Sequence, residues 1–364
     1  MAVRLLALLV LCCLISASVV SAASKRKKKG EVEEITQTLE LPKDPPSAIV
    51  ADASRLAFYT APLSSKGLLS QQIRDAIKAL LTASRGSQIV KIRAFVAGSA
   101  DLRRVPSLVS EIFTDKRFAL PAVTVVQVGA LPLVGAQVQL EAIALDKKTV
   151  NPKGLAFISG QAGVATDVGS RLTKAVVDAG SKPESVRRLT CFLDSLDNEA
   201  ALRQELSAAF ARASTSYVQL RRDSAGPFTE CEAVAALDGQ PSRSPQVSGS
   251  NERYSQISSV GPVPIAFTGI QMAFGREEKD VRLALDRFEK TLESVGASWK
   301  SVVFGHTYLL LGSIRDKFRE VRSTLINTKE PPASTTLVFE GLQSLDASFG
   351  IEAVAVVEKS AGSK

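Results

Sequence analysis

Apolar positions along the chain switch between a spacing of two and a spacing of three to four, and the switches recur in one order. Arg55 to Ser64, "RLAFYTAPLS", alternates as a strand. In the next stretch Leu69, Ile73, Ile77, Leu80 and Leu81 form one helical stripe that Gly86 can end. The strand "IVKIRAFVAG", a helix around "VPSLVSEIFTDK" and two strands joined by a short turn, "LPAVTVVQVGALPLVGAQVQLEAIA", complete the unit. The order returns with "GLAFISGQAG", a helix carrying Val168, Leu172 and Val176, "RLTCFLDS", "NEAALRQELSAAFARA", "TSYVQL" and "TECEAVAAL". It returns again with "PIAFTGIQMAFG", a helix carrying Val281, Leu285, Phe288 and Leu292, "SVVFGHTYLLLG", "SIRDKFREVRSTLIN", "TTLVFEGL" and "FGIEAVAVV". The pattern predicts an α+β protein of three tandem copies, 49–147, 154–237 and 257–358. Residues 238–256, rich in Pro, Ser and Gly, read as a surface linker, residues 24–48 as a charged leader, and the charged segment Gly30 to Asp52, with Pro42, Pro45 and Pro46, leads into the first copy and can add an edge strand. Two helices cover only one face of a four-stranded sheet, so the other faces must meet something apolar or form a site, and three copies can cover them mutually.

The last strand of each unit carries a carboxylate: Glu141, Glu232 and Glu352. Alternation places Gln139, Glu141 and Ile143 on one face, Glu230, Glu232 and Val234 on another, and Glu352 with Val354. Such a group must stay wet, be paired or take a proton, because a buried unpaired charge costs several kcal/mol.

Charge changes the picture less than its total suggests. The net +8 contains Arg4 and the run Lys25, Arg26, Lys27, Lys28 and Lys29; without them 39 basic residues face 37 acidic ones. The positive charge belongs to a tail, and nucleic acid is not an expected partner of the body. Ahead of the tail, Met1 to Arg4, the apolar run Leu5 to Val20 and "SAAS" read as a signal peptide, 1–23, and predict a periplasmic or secreted protein. An uncleaved membrane anchor is the alternative, because the basic run resists export. Membrane contact is expected only through this segment or the basic tail. Cys12 and Cys13 leave with the signal, and an exported compartment would permit Cys191 and Cys231 to pair. The single histidine, His306, lies in an apolar strand and reads as a hydrogen-bonded core residue. No metal motif, Ser-His-Asp set or phosphate loop is visible, and no cofactor is expected.

The strand-turn-strand ending and the opening "FISGQ" of the second unit resemble the Rid family, also called YjgF, of enamine and imine deaminases. The resemblance implies the chorismate-mutase-like fold. It also implies a trimer whose sheets line a central β-barrel, written here into one polypeptide as a monomeric pseudo-trimer with ligand clefts between RidA-like copies. The family's Pro-Ala-Arg-Ser arginine falls on Val123, Thr215 and Ser334, so it is absent from every copy, while its glutamate is matched to the candidate catalytic residues Glu141, Glu232 and Glu352. The opening hydroxyl falls on Thr60, Ser159 and Thr268, with Ala61 in place of the following glycine. These, with Thr215 and Ser334, are candidate ligand-binding residues.

By the resemblance, that arginine holds a substrate carboxylate, a task suited to a planar charged fork. Water then attacks the imine carbon with the glutamate carrying protons. Without the arginine, standard 2-imino acid deamination is expected to be lost, leaving an exported protein that binds a small molecule or partner at its clefts. The alternatives are an enamine or imine deaminase whose altered substrate lacks a carboxylate, using Glu141, Glu232 or Glu352 with a nearby hydroxyl, catalysis rescued by a relocated arginine, Arg212 or Arg93, and a nucleic-acid-binding or ribonuclease activity carried by the basic tail.

Overall fold

The computed structural model describes residues 42–98, 100–220, 228–239 and 245–358. Residues 1–23, read as a signal peptide, with Cys12 and Cys13, and the basic run lie outside the described residues. Among those described, no helix is long and apolar enough to cross a membrane.

Among the described residues, seventeen strands form three sheets. The first holds β2 (Leu56–Thr60), β3 (Gln88–Ala97), β4 (Ala122–Val128) and β5 (Val138–Leu145) in the order β4-β3-β5-β2. The second holds β6 (Leu155–Gly163), β7 (Val186–Leu193), β8 (Ser214–Gln219) and β9 (Thr229–Ala236) in the order β6-β9-β7-β8. The third holds β12 (Pro264–Thr268), β14 (Val302–Leu309), β15 (Ala333–Val338) and β17 (Ala347–Val356) in the order β12-β17-β14-β15, with β13 (Gln271–Phe274) also on β17. The parallel pairs β3–β4, β7–β8 and β14–β15 are each joined by a helix crossover.

Each sheet has one face under two helices: α1 (Leu69–Ala83) and α2 (Arg104–Asp115), α3 (Ala165–Asp178) and α4 (Glu199–Ala209), α5 (Glu278–Ser294) and α6 (Arg315–Ser323). The predicted stripes are what these helices bury. Leu69, Ile73, Ile77 and Leu80 enter the first core, Val168, Leu172 and Val176 the second, and Val281, Leu285, Phe288 and Leu292 the third. Each fully buried side chain of this size is worth about 1.5–3 kcal/mol. Gly180 and Gly296, at φ 72° and 75°, take the left-handed position that ends a helix. The N–H groups of Ser181 and Ala297 then reach back to the carbonyls of Val176 and Leu292. At the end of α1 Arg85 already holds a left-handed φ of 51°, one residue before Gly86.

The opposite faces of the sheets meet one another. One apolar layer draws Phe58 and Ile143 from the first sheet, Phe157 and Val234 from the second, and Phe267, Phe304 and Val354 from the third. A second layer draws Phe95, Phe192 and Tyr308 with Val126, Val218 and Leu337. The facing layers meet through side chains and the seams through a few backbone contacts, such as the Ala130–Gln219 bridge; the three sheets stay separate, and among the described residues no closed central barrel forms.

Short segments cross between sheets instead. The expected edge strand exists as β1 (Ala48–Asp52), but it pairs with β12 of the third sheet. β11 (Ile257–Val260) pairs with β6 and carries β10 (Gln246–Ser248) with it, and β16 (Gly341–Leu342) pairs with β4. After β5, Asn151 donates from Nδ2 to the carbonyls of Ala53 and Leu56 at 3.2 and 2.8 Å. The second half of the stretch read as a linker is therefore laid onto the second sheet. Ser255 there is fully buried, and its N–H donates to the carbonyl of Pro332.

Candidate functional site

Between the two apolar layers lies a charged one, placed by strand register. Arg93 stands opposite Glu141, Thr190 opposite Glu232, and His306 opposite Glu352. Two residues further along, Phe95, Phe192 and Tyr308 enter the second apolar layer. Alternation along the central strand of each sheet thus brings Glu141, Glu232 and Glu352 into one buried cluster.

Arg93, only 3% exposed, donates to Glu141 Oε2 from Nε at 2.8 Å and to Glu232 Oε1 from Nη2 at 3.0 Å. Thr190 donates to the other oxygen of Glu141 at 2.7 Å. Glu232 also receives Arg188 Nη2 at 3.2 Å, and its Oε2 lies 2.5 Å from His306 Nε2. Glu352 takes Lys91 Nζ and the Tyr308 hydroxyl, each at 2.5 Å, and the Thr124 hydroxyl. Three carboxylates therefore meet three basic side chains, Lys91, Arg93 and Arg188, with the imidazole among them. Burial pushes the Glu232 and Glu352 carboxyls up, but the neighbouring cations outweigh it and hold both well below the usual range. Burial pushes Lys91 down against the pull of Glu352, and raises the Tyr308 phenol. His306 is a hydrogen-bonded residue between sheets, its ring stacked on Tyr308.

The predicted hydroxyl residues lie at the sheet boundaries, and one of them, Thr268, also lines the same cavity as Glu141 and Glu352. Thr60 and Thr215 line one cleft of about 360 Å³ with Gln139, Arg203 and Tyr217. Ser214 donates to Thr60 Oγ1 at 2.8 Å, Arg203 is paired with Glu199, and burial pushes the Tyr217 phenol up to about 12. Ser159 and Ser334 meet at a second boundary, where Ser159 Oγ donates to the Ser255 carbonyl at 2.7 Å and accepts the Ser334 N–H at 2.8 Å. Thr268 lies at the third, which backbone closes. Its Oγ1 accepts the Ala353 N–H, its carbonyl accepts Lys91, and Gly269 and Ile270 donate to Ser47 and Val123. Thr60 stands opposite Glu141 in the ladder, yet among the described residues no hydrogen bond joins the glutamates to the hydroxyls of the two open clefts. Of the two arginines proposed as relocated anchors, Arg93 is consumed in the central cluster and Arg212 is exposed and lines neither cleft.

The second boundary opens into a cavity of about 330 Å³ that holds a group not singled out from the sequence as a candidate, Glu230. Burial, then the Glu232 charge, push its carboxyl up to about 8, with Arg315 pulling the other way. The carboxyl lies over the backbone of Gly160: a Cβ there would come within 1.7 Å of Glu230 Oε1, so only glycine allows this approach. Arg171 of α3, Arg253 of the β10–β11 connection, and Arg319 and Arg322 of α6 complete the polar wall with Ser334. The sequence did contain a signal. Only the second unit carries carboxylates at both same-face positions, Glu230 and Glu232, where the others have Gln139 with Glu141 and Gly350 with Glu352. The arginines come from three separate segments, and nothing in their spacing announces that they converge.

Residues 65–146 match the family model described as Endoribonuclease L-PSP, and over that stretch the chain carries a domain of the RidA/L-PSP family. Similar solved structures include a member of the YjgF/YER057c/UK114 family from Mycobacterium tuberculosis, 24% identical, covering 31% of this chain and 100% of that one, TM-score 0.24. They also include a YjgF protein family member from Neisseria meningitidis, 17% identical, covering 32% and 97%, TM-score 0.25. A third is RidA from an Antarctic Psychrobacter, 16% identical, covering 26% and 80%, TM-score 0.24. No curated protein matches the chain.

Proposed function

We propose that this is an exported RidA-like protein, three copies folded on one another as an internal pseudo-trimer, which binds a small molecule in the cleft between the second and third sheets. The observation that carries the reading is Glu230, a carboxyl that remains largely protonated at neutral pH inside a ligand-sized cavity. A protonated carboxyl donates one hydrogen bond and accepts others, which suits recognition of a carbonyl, imine or anionic oxygen. In this reading Glu141, Glu232 and Glu352 join the copies, because their oxygens are engaged by cations and hydroxyls. Standard 2-imino acid deamination is absent, since Val123, Thr215 and Ser334 offer no cation at the family's anchor position.

The same carboxyl favours a second reading, an enamine or imine deaminase of altered substrate. The Glu230 acid would give its proton to the imine nitrogen as water adds to the carbon. The resulting carboxylate would take one proton of the added water and pass it to the amine, then take the hydroxyl proton of the carbinolamine as ammonia leaves and the carbonyl forms. Ribonuclease activity has no support in a body of about +2, apart from the basic tail.

A panel of freshly generated imines, with and without a carboxylate and with 2-iminopropionate among them, with the carbonyl product followed over the uncatalysed rate, separates the two. The binding reading expects no acceleration, together with a small-molecule adduct in native mass spectra that Gly160→Ala removes. Acceleration abolished by Glu230→Gln would install the second reading in its place.

A further inference from the structure

The wall of the Glu230 cleft is unbalanced in charge. Arg171, Arg253, Arg319 and Arg322 line it, and Glu230 is the one carboxyl among its described lining residues. Little inside the protein compensates them. Arg171 donates to the Ala162 carbonyl and Arg322 to the Arg253 carbonyl, both neutral acceptors. Arg319 reaches Asp316 only at 3.5 Å, and Arg253 has no ion pair among the described residues. Close behind stands Arg315, whose Nε is buried without a hydrogen-bond partner. The crowding is felt: burial, then the charges of Arg253 and Arg315, lower the Arg319 pKa, and burial with Arg319 brings Arg322 down to about 10. By contrast, the cations of the central cluster all meet carboxylates, and Arg203 of the other open cleft is paired with Glu199.

We propose that the ligand of this cleft is a small phosphorylated molecule, its phosphate held among Arg253, Arg319 and Arg322 with Arg171 at the rim. A monocarboxylate is satisfied by one guanidinium fork, whereas a tetrahedral dianion takes several forks from different directions. Here the guanidinium groups arrive from α3, α6 and the β10–β11 connection. The Glu230 acid and the Ser334 and Thr336 side chains are left to meet the rest of the molecule. The inference rests on this cleft being the working site and adds the chemistry of what it takes.

The test is calorimetric titration of the full-length protein with inorganic phosphate, pyrophosphate, glycerol 3-phosphate and acetate at one ionic strength. The phosphate-bearing probes are expected to bind, acetate to bind at least tenfold more weakly, and Arg253→Gln and Arg319→Gln each to weaken phosphate binding at least tenfold. Tighter binding of glycerol 3-phosphate than of inorganic phosphate marks an ester site; the reverse marks a site for the free ion. Because these variants relieve repulsion, they are expected to melt no lower than the parent without phosphate, so lost binding is not lost folding. Equal binding of acetate and phosphate, or phosphate binding untouched by both variants, overturns the proposal. A neutral adduct in native mass spectra, lost in Gly160→Ala, would leave the cleft as the working site and remove only its phosphate. No adduct and no phosphate binding would sink both.

Discussion

Arg93 and Glu230 show two fates for a charge taken out of water. Arg93 spans Glu141 and Glu232, and the pairing compensates its burial. Arg93→Met would leave both carboxylates short of a cation, with an expected loss of about 3–5 kcal/mol in denaturant unfolding. A loss below about 1 kcal/mol would show that the cluster behaves as a solvated surface pair. Glu230 is instead accommodated by keeping its proton, and the sign of its pH effect follows. Its folded pKa of about 8 stands above the ordinary 4.5, so as pH rises between them the unfolded chain ionises while the folded one does not. Stability falls across that window and then levels. Glu230→Gln removes the slope, so its melting temperature should exceed the parent's at about pH 9 and match it at about pH 4. Equal gains at both values would refute the linkage. Glu232 and Glu352 act in the opposite sense: their depressed pKa values contribute stability above the ordinary carboxylate range, lost as pH falls through the folded values.

Among the elements, β7 and β9 carry a covalent tie, because Cys191 and Cys231 are joined across the ladder and close a span of 40 residues that includes α4. Cys191→Ala with Cys231→Ala is expected to cost about 3–4 kcal/mol by the loop-entropy relation, read as a lower denaturant midpoint that reductant no longer shifts. Most elements were legible in the sequence because helix stripes and strand alternation are local. Val281, Leu285, Phe288 and Leu292 could be placed on one face without knowing what they meet. Boundaries and partners were not. "PIAFTGIQMAFG" reads as one strand, yet it divides at Gly269 and Ile270, whose N–H groups are taken by Ser47 and Val123. The edge strand Ala48–Asp52 was foreseeable from its segment, but its membership of the third sheet depends on contacts far away in the chain. Glu230 was hidden for the same reason: parity placed it beside Glu232, while the register step between Ile158 and Gln161 sets it over Gly160, in a different environment.

At the scale of the molecule, each sheet has one face under its own helices and shares the other with its neighbours. If that mutual burial completes the protein, light scattering should give the mass of a single chain at all accessible concentrations. A mass three times larger would contradict internal closure. The sheets are also expected to unfold together, since Arg93 of the first holds Glu232 of the second and Lys91 of the first holds Glu352 of the third. Coincident denaturation monitored at Trp299 in the third sheet's core and by far-ultraviolet dichroism would show it, and separated transitions would argue against it.

The crossing strand β1 has a consequence in time. Ala48–Asp52 leaves the ribosome roughly two hundred residues ahead of Pro264–Thr268, a delay of about 10–40 s at ordinary translation rates. For that interval the nascent chain carries a strand whose partner has not been made, while the first two sheets can already condense. A ribosome stalled before Pro264 should therefore display an Ala48–Asp52 segment open to protease or to a holding chaperone, and release of the finished chain should close it.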